Sequence, residues 1–188
     1  MEIEGILAPQ PSINTKPSLL PPITGSAPPA ISYPFQVTVA SLGMADGADS
    51  ISIASSSVIA NYTSLYRHAV LKNLKATIHP NLTAPAFPTS VSLVWVPANS
   101  VATPQDILNV YGGQCFCIGG TINSVSPLEV PANLTNLNST VKASTTFTDT
   151  PKLLYSSTAQ TTAPTKPTCY LTISGVVELS SPLLQASQ

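Results

Sequence analysis

Short stretches in which apolar and polar residues alternate begin at Phe35 and recur almost to the end of the chain. In the clearest of them, Leu171 and Ile173 alternate with Thr172 and Ser174. A period of two is typical of a strand with one buried face, and the stretches are separated by Pro, Gly and Asn, which favour turns. The pattern predicts eight strands, near residues 35–42, 50–54, 70–78, 91–96, 114–118, 127–130, 152–157 and 169–179.

Two short helices are predicted in the connections between these strands. Thr103 suits an N-cap, Asp106 the first turn and Gly112 the end of one helix. A weaker pattern predicts a second helix at residues 64–68, with Asn61 as a possible cap. The fold class is therefore all-β, and an eight-stranded antiparallel β-sandwich with short helices in its connections suits the jelly roll found in capsids, lectins and cupins. The pattern alone leaves those three classes open.

The first 33 residues follow neither period and are rich in proline. Proline removes amide donors and fixes φ, so we predict an extended N-terminal arm at residues 1–33 and a jelly-roll domain at residues 34–188. A proline-rich tail is usually a polar linker, but this one carries aliphatic side chains that need a surface to cover. In an assembling protein that surface can belong to a neighbouring subunit. The predicted inter-subunit residues of the arm are Ile3, Ile6, Leu7, Ile13, Leu19, Leu20 and Ile23.

The low charge of the chain favours association. Charged residues make up 8% of the 188 residues and the formal net charge is -1, whereas an ordinary domain is about 25% charged. Little repulsion keeps copies apart. Polar and glycine residues interrupt the uncharged stretch from Ile107 to Leu128, so no membrane segment is expected. The opening sequence Met-Glu-Ile-Glu lacks the features of a secretory signal, which predicts a cytoplasmic chain.

The sequence offers little for catalysis or for metal binding. The chain has two histidines, His68 and His79, and it lacks the nucleophile elbow and the phosphate-binding loops of common enzymes. A cupin-like enzyme would need several clustered histidines for its metal. A lectin-like carbohydrate-binding module, the alternative function, would need clustered Asp, Asn and aromatic residues. We therefore predict that the protein is not an enzyme and has no catalytic residues, no metal ligands and no cofactor.

The cysteines and the paired glycines are both given structural interpretations. Cys115 and Cys117 are two apart on a predicted strand, so they share one face of it. Together with Cys169 they are predicted to be buried apolar thiols. The pairs Gly112-Gly113 and Gly119-Gly120 bracket the same strand and predict turns at its two ends.

Basic residues are scattered except between Arg67 and Lys75. The plainer interpretation is a solvated face. The functional interpretation is that Arg67, His68, Lys72 and Lys75 form part of a mildly basic patch facing nucleic acid, which protonation of His68 would strengthen.

The predicted domain also contains a series of short motifs between about Pro34 and Leu183. They are Tyr66-Arg67-His68-Ala69, Thr77-Ile78-His79-Pro80, Phe87-Pro88-Thr89, Trp95-Val96-Pro97-Ala98, Tyr111-Gly112-Gly113-Gln114, Phe116-Cys117-Ile118-Gly119-Gly120, Thr150-Pro151-Lys152-Leu153-Leu154 and Ile173-Ser174-Gly175. In this order and spacing they resemble the coat proteins of tymoviruses, which are plant viruses.

This resemblance implies a structural capsid protein of the virion. It implies a jelly-roll subunit that self-assembles into a T=3 icosahedral shell of 180 copies, in pentamers and hexamers, around a positive-sense single-stranded RNA genome. It also implies that Tyr66, Arg67 and His68 face the interior, that the arm differs between subunit environments, and that polyamines accompany the RNA. Seven basic groups offset by eight acidic ones cannot neutralise an RNA genome, so small cations are expected and RNA binding should be largely non-specific.

Overall fold

The computed structural model describes residues 30–120, 126–143, 145–146, 149–159 and 164–183. Over these ranges the chain forms one α-helix, α1 (Ser57–Thr63), and two short 3-10 turns, Ile53–Ser55 and Ile107–Asn109. The strands, in chain order, are β1 (Ala30–Leu42), β2 (Gly47–Ser52), β3 (Tyr66–Pro80), β4 (Thr89–Val96), β5 (Gln114–Ile118), β6 (Leu128–Pro131), β7 (Thr140–Ala143), β8 (Thr145–Thr146), β9 (Lys152–Thr158) and β10 (Cys169–Pro182).

The strands form two antiparallel sheets. The larger has the order β1-β10-β3-β7-β8, with β6 also paired to β3, and the smaller has the order β2-β9-β4-β5. The chain crosses repeatedly from one sheet to the other, so strands that are neighbours in a sheet are distant in sequence. This arrangement confirms the predicted jelly-roll sandwich.

The core lies between the two sheets and is filled by alternate residues of the strands. On β4, Val91, Leu93 and Trp95 point inward and are at most 8% exposed. The indole nitrogen of Trp95 donates a hydrogen bond to the carbonyl oxygen of Val130 at 3.0 Å. Because Val130 belongs to β6, this bond ties the two sheets together while satisfying a buried donor.

A second, smaller core covers part of the outer face of the four-stranded sheet. Val94, Val96 and Leu154 point away from the main core and are buried beneath Ile107. The connection between β4 and β5 provides this cover. The covered part of the sheet is therefore apolar on both of its faces. Adjacent residues of β9, Leu153 and Leu154, are therefore both 0% exposed although they face opposite ways.

The two ends of the sandwich are distinguished by the strand directions. Only residues 81–88 connect β3 to β4, so the last residue of β3 and the first of β4 lie together at what we call the far end. The first residue of β3 pairs with the end of β10, which pairs in turn with Ala30 at the start of β1. Ala30, Val96 and Gln114 therefore lie at the opposite end, which we call the arm end.

All eight predicted strands are present. The structure adds two strands that were not predicted, and neither of the two predicted helices forms as expected. The strands β7 and β8 were not predicted because they are short and β7 buries one side chain fully, that of Val141. The predicted helix at residues 64–68 is wrong, because α1 ends at Thr63 and β3 begins at Tyr66. The helix begins after Ser56, a residue type common at N-caps, although its side chain makes no capping hydrogen bond.

The predicted helix beginning at Thr103 is also wrong in extent, since it shortens to the turn Ile107–Asn109. Instead of capping a helix, Thr103 donates both its amide and its hydroxyl to the Asp106 carboxylate, at 3.0 Å and 2.6 Å. The glycine pairs do lie at turns on either side of β5, with positive φ at Gly112, Gly119 and Gly120.

The first described residues extend the domain beyond the predicted division of the chain. Strand β1 begins at Ala30, four residues before the predicted domain start, and its outer edge is unpaired among the described residues. An edge strand tolerates Pro34 because its amide is not needed by a second neighbour. The aliphatic residues predicted for the arm lie outside the described residues, so the arm stays a prediction. Within the described ranges, no helix is long and apolar enough to span a membrane.

Candidate functional site

The four residues predicted to approach RNA all lie on β3. Alternation buries Ala69 and Leu71 in the core and turns His68 to the outer face. A register shift opposite Val176 and Val177 lets both Lys72 and Asn73 reach the surface. The strand therefore brings the outward-facing His68, Lys72 and Lys75 into one row, which extends over roughly 23 Å at about 3.3 Å per residue. Alternation places Arg67 on the same side as Ala69, where it is exposed because it lies at the end of the strand.

Two of the four basic residues are already paired with carboxylates. The ammonium nitrogen of Lys72 lies 3.0 Å from Glu178 Oε1, and that of Lys75 lies 2.5 Å from Glu129 Oε1. The four side chains are between 34% and 53% exposed. Such exposed pairs stabilise a protein by only about 0–1 kcal/mol, but they remove the net charge of this part of the row. The unpaired positive charge thus covers a smaller part of β3 than the sequence indicated.

The remaining positive charge lies near the arm end. Arg67 is exposed and His68 is partly buried, and the described part of the chain shows no salt bridge to either. Strand β7 adds Lys142, whose backbone pairs with Ala69 and whose neighbour Ala143 pairs with His68. We call Arg67, His68 and Lys142, which all lie at this end of the two strands, the basic corner. Arg67 and Lys142 share the side of Ala69, whereas His68 lies on the outer face. Sequence reasoning did not place Lys142 there because β7 was not predicted.

The ammonium group of Lys142 also stabilises α1. It donates a hydrogen bond to the carbonyl oxygen of Thr63 at 2.7 Å. A cation at the C-terminus of a helix is favoured by the partial negative charge of the unpaired carbonyls. One donor of Lys142 is used in this way, and an ammonium group has two more for an external acceptor.

His79 lies at the far end of the same strand. It is part of β3 rather than of a loop, and its backbone pairs with Tyr170. Nε2 of His79 is hydrogen-bonded to the hydroxyl of Thr172 at 2.9 Å, and the same hydroxyl lies 3.4 Å from the carbonyl oxygen of Thr77. Among the described residues no group of three or more His, Cys, Asp or Glu side chains converges.

The prediction that all three cysteines are buried is wrong for two of them. Cys115 and Cys117 share one face of β5, as predicted, but that face is the exposed one. The core side of β5 is taken by Phe116 and Ile118. Cys169 is buried at the far end, and burial raises the pKa of its thiol, an effect that a hydrogen bond from Thr168 partly offsets.

Exposed apolar side chains are grouped at the ends of the sandwich. Ile31, Leu65 and Leu183 are exposed at the arm end, where the rings of Tyr33 and Tyr62 also stack with their centroids 5.1 Å apart. Grouped apolar side chains of this kind are typical of protein interaction surfaces. Further large exposed side chains lie on the connection between β4 and β5 and on the far-end loops, namely Val101, Leu108, Tyr111, Leu82 and Met44.

Comparison with known proteins identifies relatives along the whole chain. Residues 14–188 match the family model described as tymovirus coat protein. The capsid protein of Kennedya yellow mosaic virus (strain Jervis bay) is 60% identical over 187 residues and covers 100% of both chains. A solved structure of desmodium yellow mottle tymovirus has 72% identity and a TM-score of 0.83, covering 93% of this chain and 100% of that one. A structure of the empty head of turnip yellow mosaic virus has 47% identity and a TM-score of 0.81, covering 98% of each chain.

Proposed function

The chain belongs to the tymovirus coat protein family, and from this premise we propose that 180 copies assemble into a T=3 icosahedral shell of pentamers and hexamers around a positive-sense single-stranded RNA genome. The protein is a structural capsid protein of the virion, not an enzyme. The lectin-like and cupin-like alternatives that the strand pattern left open are thereby set aside. Assembly in the host-cell cytoplasm forms part of the proposal.

The match of the family model over residues 14–188 carries this proposal. The surface of the subunit supports it physically. Several large apolar side chains are exposed at both ends of the sandwich, and the formal net charge of -1 provides little repulsion between copies. Burying apolar surface stabilises an assembly by about 25 cal/mol per Å², a gain that is multiplied over every contact of a closed shell.

We propose that protein contacts hold the shell together and that the RNA contributes little. The chain has seven Lys and Arg against eight Asp and Glu, and Lys72 and Lys75 are paired with carboxylates within the subunit. Polyamines or other small cations would then neutralise most RNA phosphates, and RNA binding would be largely non-specific. The solved empty head of turnip yellow mosaic virus is that of a relative, and it agrees with a shell that does not depend on RNA.

Within this proposal, the predicted residues Arg67, His68, Lys72 and Lys75 approach the RNA, Arg67 from the arm end of β3 and the other three from its outer face. The basic corner is the part best suited to phosphate, because Lys72 and Lys75 must first leave Glu178 and Glu129. The exposed arginine can present a bidentate pair of donors to a phosphate. Lys142 adds donors on the same side of the sheet as Arg67, which extends the basic region at the arm end onto β7.

Electron microscopy of the purified full-length protein tests the assembly proposal. We expect closed spherical particles at neutral pH, both with RNA and without it. A protein that remains monomeric at high concentration from mildly acidic to neutral pH would contradict the proposal. Empty particles that fall apart under mild salt and pH while filled ones survive would contradict the claim that protein contacts dominate.

The variant His68→Ala tests the RNA-facing row, with His79→Ala as its matched control. Both histidines lie on the outer side of β3, but His79 is hydrogen-bonded at the far end. We expect His68→Ala to change the pH dependence of RNA release from assembled particles and His79→Ala to leave it unchanged. Loss of assembly in His68→Ala, with unchanged RNA release from the particles that remain, would indicate a packing role instead.

A further inference from the structure

A cavity of about 320 Å³ opens at the arm end of the sandwich. Its floor is apolar, and Val94, Val96 and Val130, which form part of it, are each at most 2% exposed. Leu137, on the connection between β6 and β7, packs beside them. None of the described residues that line the cavity carries a charge. An occupant must therefore be uncharged where it enters, since a buried unpaired charge is strongly disfavoured.

The rim of the cavity has an aromatic ring and side-chain amides. Tyr111 is 98% exposed, and Gln114 and Asn136 are exposed beside it. Within the described residues, the side chains of these three make no hydrogen bond. Such donors and acceptors are free to bind the backbone of another chain. An apolar groove with a tyrosine and amide donors at its edge is the arrangement that binds proline-rich segments in a polyproline II conformation.

The chain itself contains a segment of matching chemistry. Residues 17–23 read Pro-Ser-Leu-Leu-Pro-Pro-Ile, with no charged residue among them. The three prolines restrict φ and favour polyproline II, so ordering this segment costs less conformational entropy than ordering an unrestricted one. Leu19 and Leu20 supply apolar side chains for the floor of the cavity. Only six residues separate this segment from Ala30, where β1 begins at the same end of the sandwich.

The position of β1 favours the cavity of a neighbouring subunit over the subunit's own. Strand β1 faces β2 at one edge of the sandwich, whereas the cavity lies at the other edge beside β5. Pro28 and Pro29 restrict φ and disfavour an immediate reversal before β1, which favours a segment that continues away from its own domain. Seven peptide units from Ile23 to Ala30 reach about 25 Å when extended, which suits a contact between adjacent subunits.

We propose that residues 17–23 of one subunit dock in the cavity lined by Tyr111, Gln114 and Asn136 of a neighbouring subunit. This inference rests on the proposed function, because it requires a shell or a smaller assembly in which two subunits meet. It assigns a specific receiving surface to the predicted arm. The leucines fill the apolar floor, and the amides at the rim bind the backbone carbonyls of the segment.

Photo-crosslinking in assembled shells tests this contact. Tyr111 is replaced by benzoylphenylalanine, the shells are irradiated and the cross-linked peptides are sequenced by mass spectrometry. We expect the probe to capture a peptide containing residues 17–23. In shells assembled from mixed nitrogen-15-labelled and unlabelled chains, a neighbour contact gives pairs of mixed isotope composition. Pairs of a single isotope composition only would show that each segment occupies its own subunit and would overturn the proposal.

A matched probe at Leu82 controls for general capture by a loose segment. Leu82 is 96% exposed but lies on the far-end loop. A probe at this position should therefore not cross-link to the 17–23 peptide. Equal yields from both positions would overturn the proposal. If the Tyr111 variant does not assemble, the reciprocal probe at Leu20 replaces it and should capture a peptide from residues 110–114 or 133–137. Shells that form normally but never give either cross-link would refute this docking while leaving the proposed coat function intact.

Discussion

The outer faces of the two sheets have opposite chemistry. The six-stranded sheet carries most of the charged residues of the strands, and on its outer face Lys72 and Lys75 are paired with Glu178 and Glu129. The uncovered part of the four-stranded sheet presents small uncharged side chains such as Ser92 and the thiols of β5, while a loop covers the rest. The charged face therefore suits contact with solvent, and contact with a polyanion only where a basic residue is left unpaired, whereas the uncharged face suits contact with protein. The inner faces of both sheets are equally apolar, so the difference lies outside the core.

The largest expected effect is a difference in labelling rate between a thiol on the outer face of the four-stranded sheet and a thiol in the core. In unassembled subunits, Cys115 should react rapidly with a maleimide because it is exposed on β5. Cys169 is 0% exposed and burial raises the pKa of its thiol, so its labelling requires unfolding. A native stability of about 5 kcal/mol slows that reaction by roughly a thousandfold or more. Timed labelling with mass spectrometry measures both rates.

The double variant Cys115→Ser with Cys117→Ser is the control, since it leaves Cys169 as the single thiol. It should remain unlabelled until denaturant is added. Rapid labelling of this variant in native buffer would show that the far end opens easily, and the comparison between the faces would then fail. Repeating the experiment on assembled particles shows whether the outer face of β5 is covered by a neighbour.

The next effect tests whether the covered part of the four-stranded sheet is a true second core. Leu153 faces the main core and Leu154 faces the loop, and both are 0% exposed. We expect Leu153→Ala and Leu154→Ala each to lower the free energy of unfolding by about 2–5 kcal/mol. Ser156→Ala, on the same outer face but beyond the loop, should change it by less than about 0.5 kcal/mol. Urea titration of the three variants measures these values.

If Leu154→Ala lowered the free energy of unfolding by no more than Ser156→Ala, the covered part of the sheet would not be a second core. It would mean that the connection between β4 and β5 detaches readily from the sheet. The cavity proposed for residues 17–23 would then lack a firm wall, because Val110 and Tyr111 belong to that connection.

The sequence predicted the fold where one face of a strand is buried and the other is not. In β1, from Phe35 to Val39, and in β10, from Leu171 to Ser174, the alternation is regular, and both strands were found. It failed in β5, where Cys115-Phe116-Cys117-Ile118 is a continuous apolar run. Such a run shows that the cysteines share a face but not which face is buried. Only the packed sheet shows that the larger side chains take the core.

The candidate site was predicted in part for a similar reason. The row on β3 is local in sequence, so it was identified from Arg67 to Lys75. Its neutralisation was not, because Glu129 is 54 residues from Lys75 and only the register of β3, β6 and β10 brings the carboxylates close. Lys142 was missed because a strand of four residues such as β7 is too short to show a period.

A smaller effect tests the ion pairs on the six-stranded sheet. Glu178→Gln and Glu129→Gln should each lower the free energy of unfolding by at most about 1 kcal/mol, since the side chains are partly exposed. The double variant nevertheless frees Lys72 and Lys75. If this face contacts RNA, the affinity for RNA should rise and its salt dependence should become steeper. The quadruple variant that also carries Lys72→Gln and Lys75→Gln is the matched control, because it has the net charge of the unmodified protein and its salt dependence should stay near the original. A salt dependence of the Glu178→Gln and Glu129→Gln double variant that equals that of the unmodified protein would show that the RNA lies elsewhere.

The smallest effect concerns the loop that covers the four-stranded sheet. Hydrogen bonds from the hydroxyl and amide of Thr103 hold the pKa of Asp106 below its ordinary value of 3.8. A lowered pKa in the folded state means that the ionised carboxylate stabilises the fold above about pH 3.8. This stabilisation is lost as pH falls through the lower, folded-state pKa.

The variant Thr103→Ala removes the hydroxyl donor, so the pKa of Asp106 should move back toward 3.8, and the melting temperature should decrease slightly at neutral pH. The decrease should shrink in acid, where the carboxylate is protonated in both proteins. NMR titration of Asp106 and thermal melts from pH 2 to 7 measure the two changes. An identical titration in both proteins would show that Thr103 does not hold the loop, and the cover over Val94 and Leu154 would then rest on Ile107 alone.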